Sequence, residues 1–173
     1  MEVKRTQAAL DAFKKFVIKQ ARTRLTKGKK NVSKDLYNSL KADVKASENS
    51  FRMEFIMADY GVFVDKGVSG TDKKYNTPYS FRDKKPPAEP LAKWAKARNI
   101  RLRDEAGKFK KGNYTTIGHI LARSIFKKGI KPSLFFTIPF EQGFKKLPQE
   151  LEKAFALDVE DFLAYTLKED RLR

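Results

Sequence analysis

Side chains suited to acid–base, nucleophilic or metal chemistry are scarce in this chain of 173 residues, which holds one histidine, His119, and no cysteine. Without cysteine there is no disulfide framework, no thiol nucleophile and no thiolate metal ligand. His119 stands beside Ile117, Ile120 and Leu121. On or next to the apolar stripe of a helical pattern, a structural or surface imidazole is expected rather than a general base. A lone histidine with serines and aspartates scattered elsewhere is no triad. The glycines of the run Gly67-Val68-Ser69-Gly70-Thr71 lack the spacing and the Gly-Lys-Ser/Thr ending of a phosphate-binding loop, and no dinucleotide fingerprint follows a strand. Their expected use is positive φ where the chain turns. Paired carboxylates remain, with Glu54, Asp59 and Asp65 near lysines. Such groups can hold the divalent ions of phosphoryl chemistry, and a metal-dependent nuclease is the enzymatic alternative. Glu54, however, falls on the polar face of a strand pattern. Asp158, Glu160 and Asp161 fall mostly off the apolar stripe of the last helical segment, where a solvated face is expected. The expectation is a protein that is not an enzyme and carries no cofactor or metal.

What the chain has in abundance is positive charge: 38 Lys+Arg against 21 Asp+Glu, a formal net charge of +17. Basic side chains outnumber acidic ones thirteen to five in residues 1–48, seven to six in 49–90 and twelve to two in 91–132, whereas the order reverses to six against eight in 133–173. The densest run reads Arg98, Arg101, Arg103, Lys108, Lys110 and Lys111, relieved only by Asp104 and Glu105. These six are the candidate DNA-facing or partner-facing residues, since such a run meets phosphates or an acidic protein, and a sequence-independent DNA-binding protein is the non-enzymatic alternative. Tyr75, Tyr79, Phe81 and Phe109 lie near basic residues; they can stack bases, although loop aromatics more often anchor a loop or pack at an interface. No zinc finger, RNP-type aromatic motif or GXXG clamp is present. At 40% hydrophobic, with 14 Phe, the composition is too rich for a disordered basic tail. No apolar run reaches membrane-spanning length, and the N-terminus lacks the apolar stretch of a secretory signal. A soluble, folded domain without membrane contact is expected.

These residues need a frame, and the hydrophobic periods supply one. Leu10, Phe13, Val17, Ala21 and Leu25 recur at three- and four-residue steps, which predicts a helix over 4–27 stopped by Gly28. Ser33 is placed to cap a short helical turn through Leu36 and Tyr37. Leu40, Ala42, Val44 and Ala46 alternate with Lys41, Asp43 and Lys45, and after the turn 47–50 Phe51, Met53, Phe55 and Met57 alternate with Arg52, Glu54 and Ile56, predicting a β-hairpin with one buried face covered by the first helix. Residues 58–66 read as a short helix or strand exit ending at Gly67, residues 67–87 as a long loop, and 88–99 as a helix with Leu91, Trp94 and Ala95 on one side. Residues 98–112 read as an exposed basic turn or small hairpin. A helix capped by Thr115 or Thr116 follows, closing at Gly129. Leu134, Phe136 and Ile138 alternate as a third strand ended by Pro139, and 148–168 form a final helix. The sum is an α+β fold in one domain, 1–173, with a small antiparallel sheet packed by an N-terminal helix, a C-terminal helix and shorter helices.

Taken together, several segments resemble the neck and tail-completion proteins that join head to tail in tailed bacteriophages. YGVFVDKGVSGT (Tyr60–Thr71) is similar to a tyrosine-aromatic-valine-acid run ending in a glycine turn, and IGHILARSIFKKGIKPSLFFTIPF (Ile117–Phe140) to a helix ending in glycine with a Pro-Ser-aromatic strand after it. The helix of Trp94 ending at Arg98-Asn99-Ile100 and the closing helix around Phe155, Asp158 and Val159 match in order and spacing. The likeness covers most of the chain beyond residue 35 and rests on pattern. It implies a non-enzymatic virion component of the head–tail junction, assembled in the bacterial host cytoplasm. It implies a homo-oligomeric ring around the DNA channel, with portal-side and tail-side proteins as partners and non-specific contact with the genome. Tyr60, Phe63, Gly67 and Gly129 are then packing and turn residues.

Overall fold

The computed structural model describes residues 3–29, 33–47, 50–110 and 112–170. The expected α+β class is what forms: helices around small antiparallel sheets. Backbone contacts group the chain into two units, one made of residues 1–28, 35–58 and 135–173, the other of residues 29–34 and 59–134.

The first unit opens with α1 (Lys4–Lys27), whose buried residues Thr6, Leu10, Phe13, Val17, Ala21 and Leu25 draw the stripe that the three- and four-residue steps predict. After α2 (Asp35–Ser39), strands β1 (Lys41–Ser47) and β2 (Ser50–Ile56) pair antiparallel, with Ala42 opposite Phe55, Val44 opposite Met53 and Ala46 opposite Phe51. The alternation therefore forms the expected hairpin, and Leu10, Phe13 and Val17 of α1 cover its apolar face. Glu48 and Asn49, at the tip of the expected turn, lie outside the described residues.

The third strand expected over Leu134, Phe136 and Ile138 does not form. Leu134 takes φ 49°, and the chain enters α6 (Thr137–Phe144) instead. A run as short as Leu-Phe-Phe-Thr-Ile-Pro-Phe satisfies both periods, and packing chooses between them. Phe136, Phe140 and Phe144 fall in line on a helix and stack in sequence, 5.8 and 5.6 Å between centroids. Phe136 and Phe140 also meet Phe55 edge-on at 5.2 and 5.9 Å. Pro139 sits in the first turn of α6, where no intrahelical donor is required, so it does not end the segment. Helix α7 (Leu147–Asp170) closes the unit against α1.

The second unit holds α3 (Gly61–Lys66), α4 (Ala88–Ala97), the two-residue strands β3 (Leu102–Arg103) and β4 (Phe109–Lys110), and α5 (Tyr114–Lys128). Helices α4 and α5 pack closely because Gly118 puts bare backbone against Ala88 and Ala92, leaving no room for a side chain. The cap of α5 is Asn113, whose Oδ1 accepts from the Thr115 backbone N–H at 2.9 Å, rather than Thr115 or Thr116. None of the described helices is long and apolar enough to cross a membrane.

Candidate interaction sites

The two segments singled out by their glycines meet within the second unit. Val68 and Ile130 exchange backbone hydrogen bonds at 2.9 and 2.7 Å, and Ser133 donates to the Val64 carbonyl through its hydroxyl at 2.6 Å. Gly67 (φ 74°) ends α3 and Gly129 (φ 72°) ends α5. A methyl group on Gly67 would strike the Ile130 carbonyl, on Gly70 that of Lys127, and on Gly129 that of Val68. Three glycines thus let two backbones approach where a β-carbon on either would part them. The role is turn geometry and close approach.

Tyr60 and Phe63, on the exposed side of α3, are half in solvent, and Phe63 meets Tyr79 edge-on at 4.9 Å. The segment after Gly67 has no helix or regular strand before α4, yet it is sutured down. Ser69 receives the Tyr75 N–H on its hydroxyl, donates its own N–H to Tyr79 and accepts from Phe81. Phe81 lies 6.1 Å from Phe126. The loop aromatics therefore anchor the loop.

The basic run is an exposed hairpin, as its composition predicts. Gly107 (φ 78°) makes the turn, Asp104 Oδ1 accepts from the Lys108 N–H at 2.8 Å, and β3 pairs with β4. Phe109, 62% exposed, carries the Arg103 guanidinium over its ring at 4.4 Å and that of Arg101 at 5.8 Å. Arg98 stacks on Trp94 at 5.8 Å and donates to the Lys29 carbonyl. Trp94 is not on the buried side of α4 with Ala95 but 41% exposed. Cations held over aromatic rings keep their charge while losing rotamer freedom. Lys108 and Lys110 are exposed beside them, and Lys111 lies outside the described residues.

Two features escape the sequence patterns. Asp158, assigned to a wet face, is 3% exposed. Its carboxylate accepts from the Arg5 and Thr6 backbone N–H groups at 3.0 and 2.9 Å and from the Thr6 hydroxyl at 2.8 Å, capping α1 from α7. Burial pushes this carboxyl up, but the Thr6 and Arg5 hydrogen bonds and the Arg5 charge outweigh it and hold the pKa below the ordinary value. The second is an open groove of about 940 Å³ between α1 and the α2–β1 segment, with Lys or Arg at six of its thirteen lining residues. Its only signal in the sequence is the thirteen-to-five excess of residues 1–48. His119 is exposed on α5, and no group of three or more His, Asp or Glu placed to hold a metal occurs among the described residues. Comparison with known proteins finds no family model, curated protein or solved structure that matches this chain.

Proposed function

We propose that this chain is a structural subunit of the neck of a tailed-phage virion, a tail-completion protein that joins copies of itself in a ring around the DNA channel between portal-side and tail-side proteins. The observation that carries the reading is the glycine junction. The first segment bearing the resemblance, 60–71, and the helix end and turn of the second, 117–140, meet there backbone to backbone, while the aromatic end of the second enters α6 instead of the strand that the resemblance implies. Surface chemistry supports it: large apolar side chains stand exposed along α7, Phe155, Leu157 and Leu163 among them. Apolar surface of that kind is what a subunit offers to neighbours. The stacked arginines of the β3–β4 hairpin are the electropositive face, turned toward the channel or the portal.

Co-sedimentation of the purified chain with isolated portal and tail rings at moderate salt tests the proposal. Stable association with either ring, together with concentration-dependent self-assembly, is expected. A chain that stays monomeric and ignores both rings overturns it. Portal, capsid and tail-tube genes beside its own are the expected genomic setting.

A further inference from the structure

Along α1, Lys14, Lys15, Lys19, Arg22 and Lys27 line the 940 Å³ groove together with Lys41 of β1, and Asp43 is the one carboxylate in the lining. From Lys14 to Lys27 the cations span thirteen residues, or roughly 20 Å of helix. Arg22 is the built part. Its Nε and Nη2 donate to the Tyr37 and Leu40 carbonyls, each at 3.1 Å, and its guanidinium lies 4.9 Å over the Tyr37 ring. Two neutral carbonyls hold the group in place without neutralising it, so a pinned charge sits in the middle of the row. Lys14 shares its charge with Asp11 at 2.7 Å, whereas Lys15, Lys19, Lys27 and Lys41 form no ion pair among the described residues.

We infer that this groove binds the phosphate backbone of a nucleic acid, independent of sequence. The shape of the charge selects the ligand. A row of ~20 Å is too long for one phosphate group and suits a linear polyanion whose charges repeat every few ångströms. Fixed arginine and mobile lysines on aliphatic stems are the usual phosphate partners. The groove offers no row of amide or carboxylate groups by which base edges are told apart. This site is separate from the β3–β4 hairpin and does not depend on the virion reading, since it predicts binding by the free chain.

Fluorescence anisotropy of the full chain with a labelled 30-base-pair duplex of arbitrary sequence, across 50–200 mM salt, tests it. The double variant Lys15→Glu/Lys19→Glu changes two exposed residues of α1. The double variant Lys84→Glu/Lys85→Glu makes the same change in net charge on the exposed 67–87 loop and serves as the control. The groove variant is expected to weaken binding tenfold or more and to lower the slope of log K against log salt by about 2, near one per cation removed. The loop variant is expected to stay within about threefold of the parent. Equal losses from both variants, or none from the groove variant, overturn the inference. Poly-glutamate that displaces the duplex at equal charge concentration also overturns it, in favour of an acidic protein segment. Circular-dichroism melts of each variant matching the parent keep unfolding from passing as lost binding. Failure here leaves the neck reading standing, because ring association tests that reading separately.

Discussion

Gly107 and Gly129 have nearly the same backbone angle, φ 78° and 72°, but different surroundings. A β-carbon at Gly107 meets nothing within 4 Å, while one at Gly129 runs into the Val68 carbonyl and the Gly70 nitrogen. Gly107→Ala is therefore expected to cost only the left-handed conformation, about 1–2 kcal/mol. Gly129→Ala adds a backbone collision and should cost at least about 3 kcal/mol. Urea denaturation of the two variants side by side reads the difference. Asp158 makes the second argument at this scale. Its carboxylate satisfies two of the N–H groups that the start of α1 leaves without intrahelical partners, and its negative charge sits at the positive end of that helix. Asp158→Asn should lower stability by about 1–3 kcal/mol at pH 7. Because the folded pKa lies below the unfolded one, the contribution is full above the unfolded value of about 3.9 and is lost as pH falls through the folded value. The gap between parent and variant should therefore shrink below about pH 4.

Among the elements, α1 and the β1–β2 hairpin were legible because a long periodic stripe has one solution. Leu10, Phe13, Val17, Ala21 and Leu25 can share a face only on a helix, and seven paired residues of alternating polarity only on a strand. The segment after Leu134 was not legible. Leu134-Phe135-Phe136-Thr137-Ile138-Pro139-Phe140 is short and apolar but for Thr137, and the ring packing of Phe55 against Phe136 and Phe140 decides that it is helical. Cap assignments failed for a related reason. Asn113, Thr115 and Thr116 are all able to cap, and only the backbone path selects Asn113. Asn113→Ala should cost about 1 kcal/mol of stability. Thr115→Ala, at an exposed position without a cap bond, should change the denaturation midpoint little. The basic hairpin was legible as exposed, but the stacking of Arg101 and Arg103 on Phe109 was not, since it needs β3 and β4 in register.

At the scale of the whole molecule, +17 on 173 residues means that like charges repel throughout the surface. Salt screens this over about 10 Å at 0.1 M. The melting temperature is expected to rise by a few degrees between about 20 and 200 mM sodium chloride, which a calorimetric scan reads. A falling melting temperature would mean that the ion pairs, such as Arg5–Asp161 at 3.0 Å, outweigh the repulsion. The amino-acid sequence by itself determined the amount of charge, the absence of thiol chemistry, the long helices and the hairpin, because each follows from composition or from a period sustained over many residues. Tertiary structure alone decided where the charge gathers into a groove, which carboxylate is buried at a helix start and which glycines admit a second backbone. Those properties belong to residues far apart in the chain, such as Thr6 with Asp158 or Gly67 with Ile130, and no local pattern of side chains carries the distance between them.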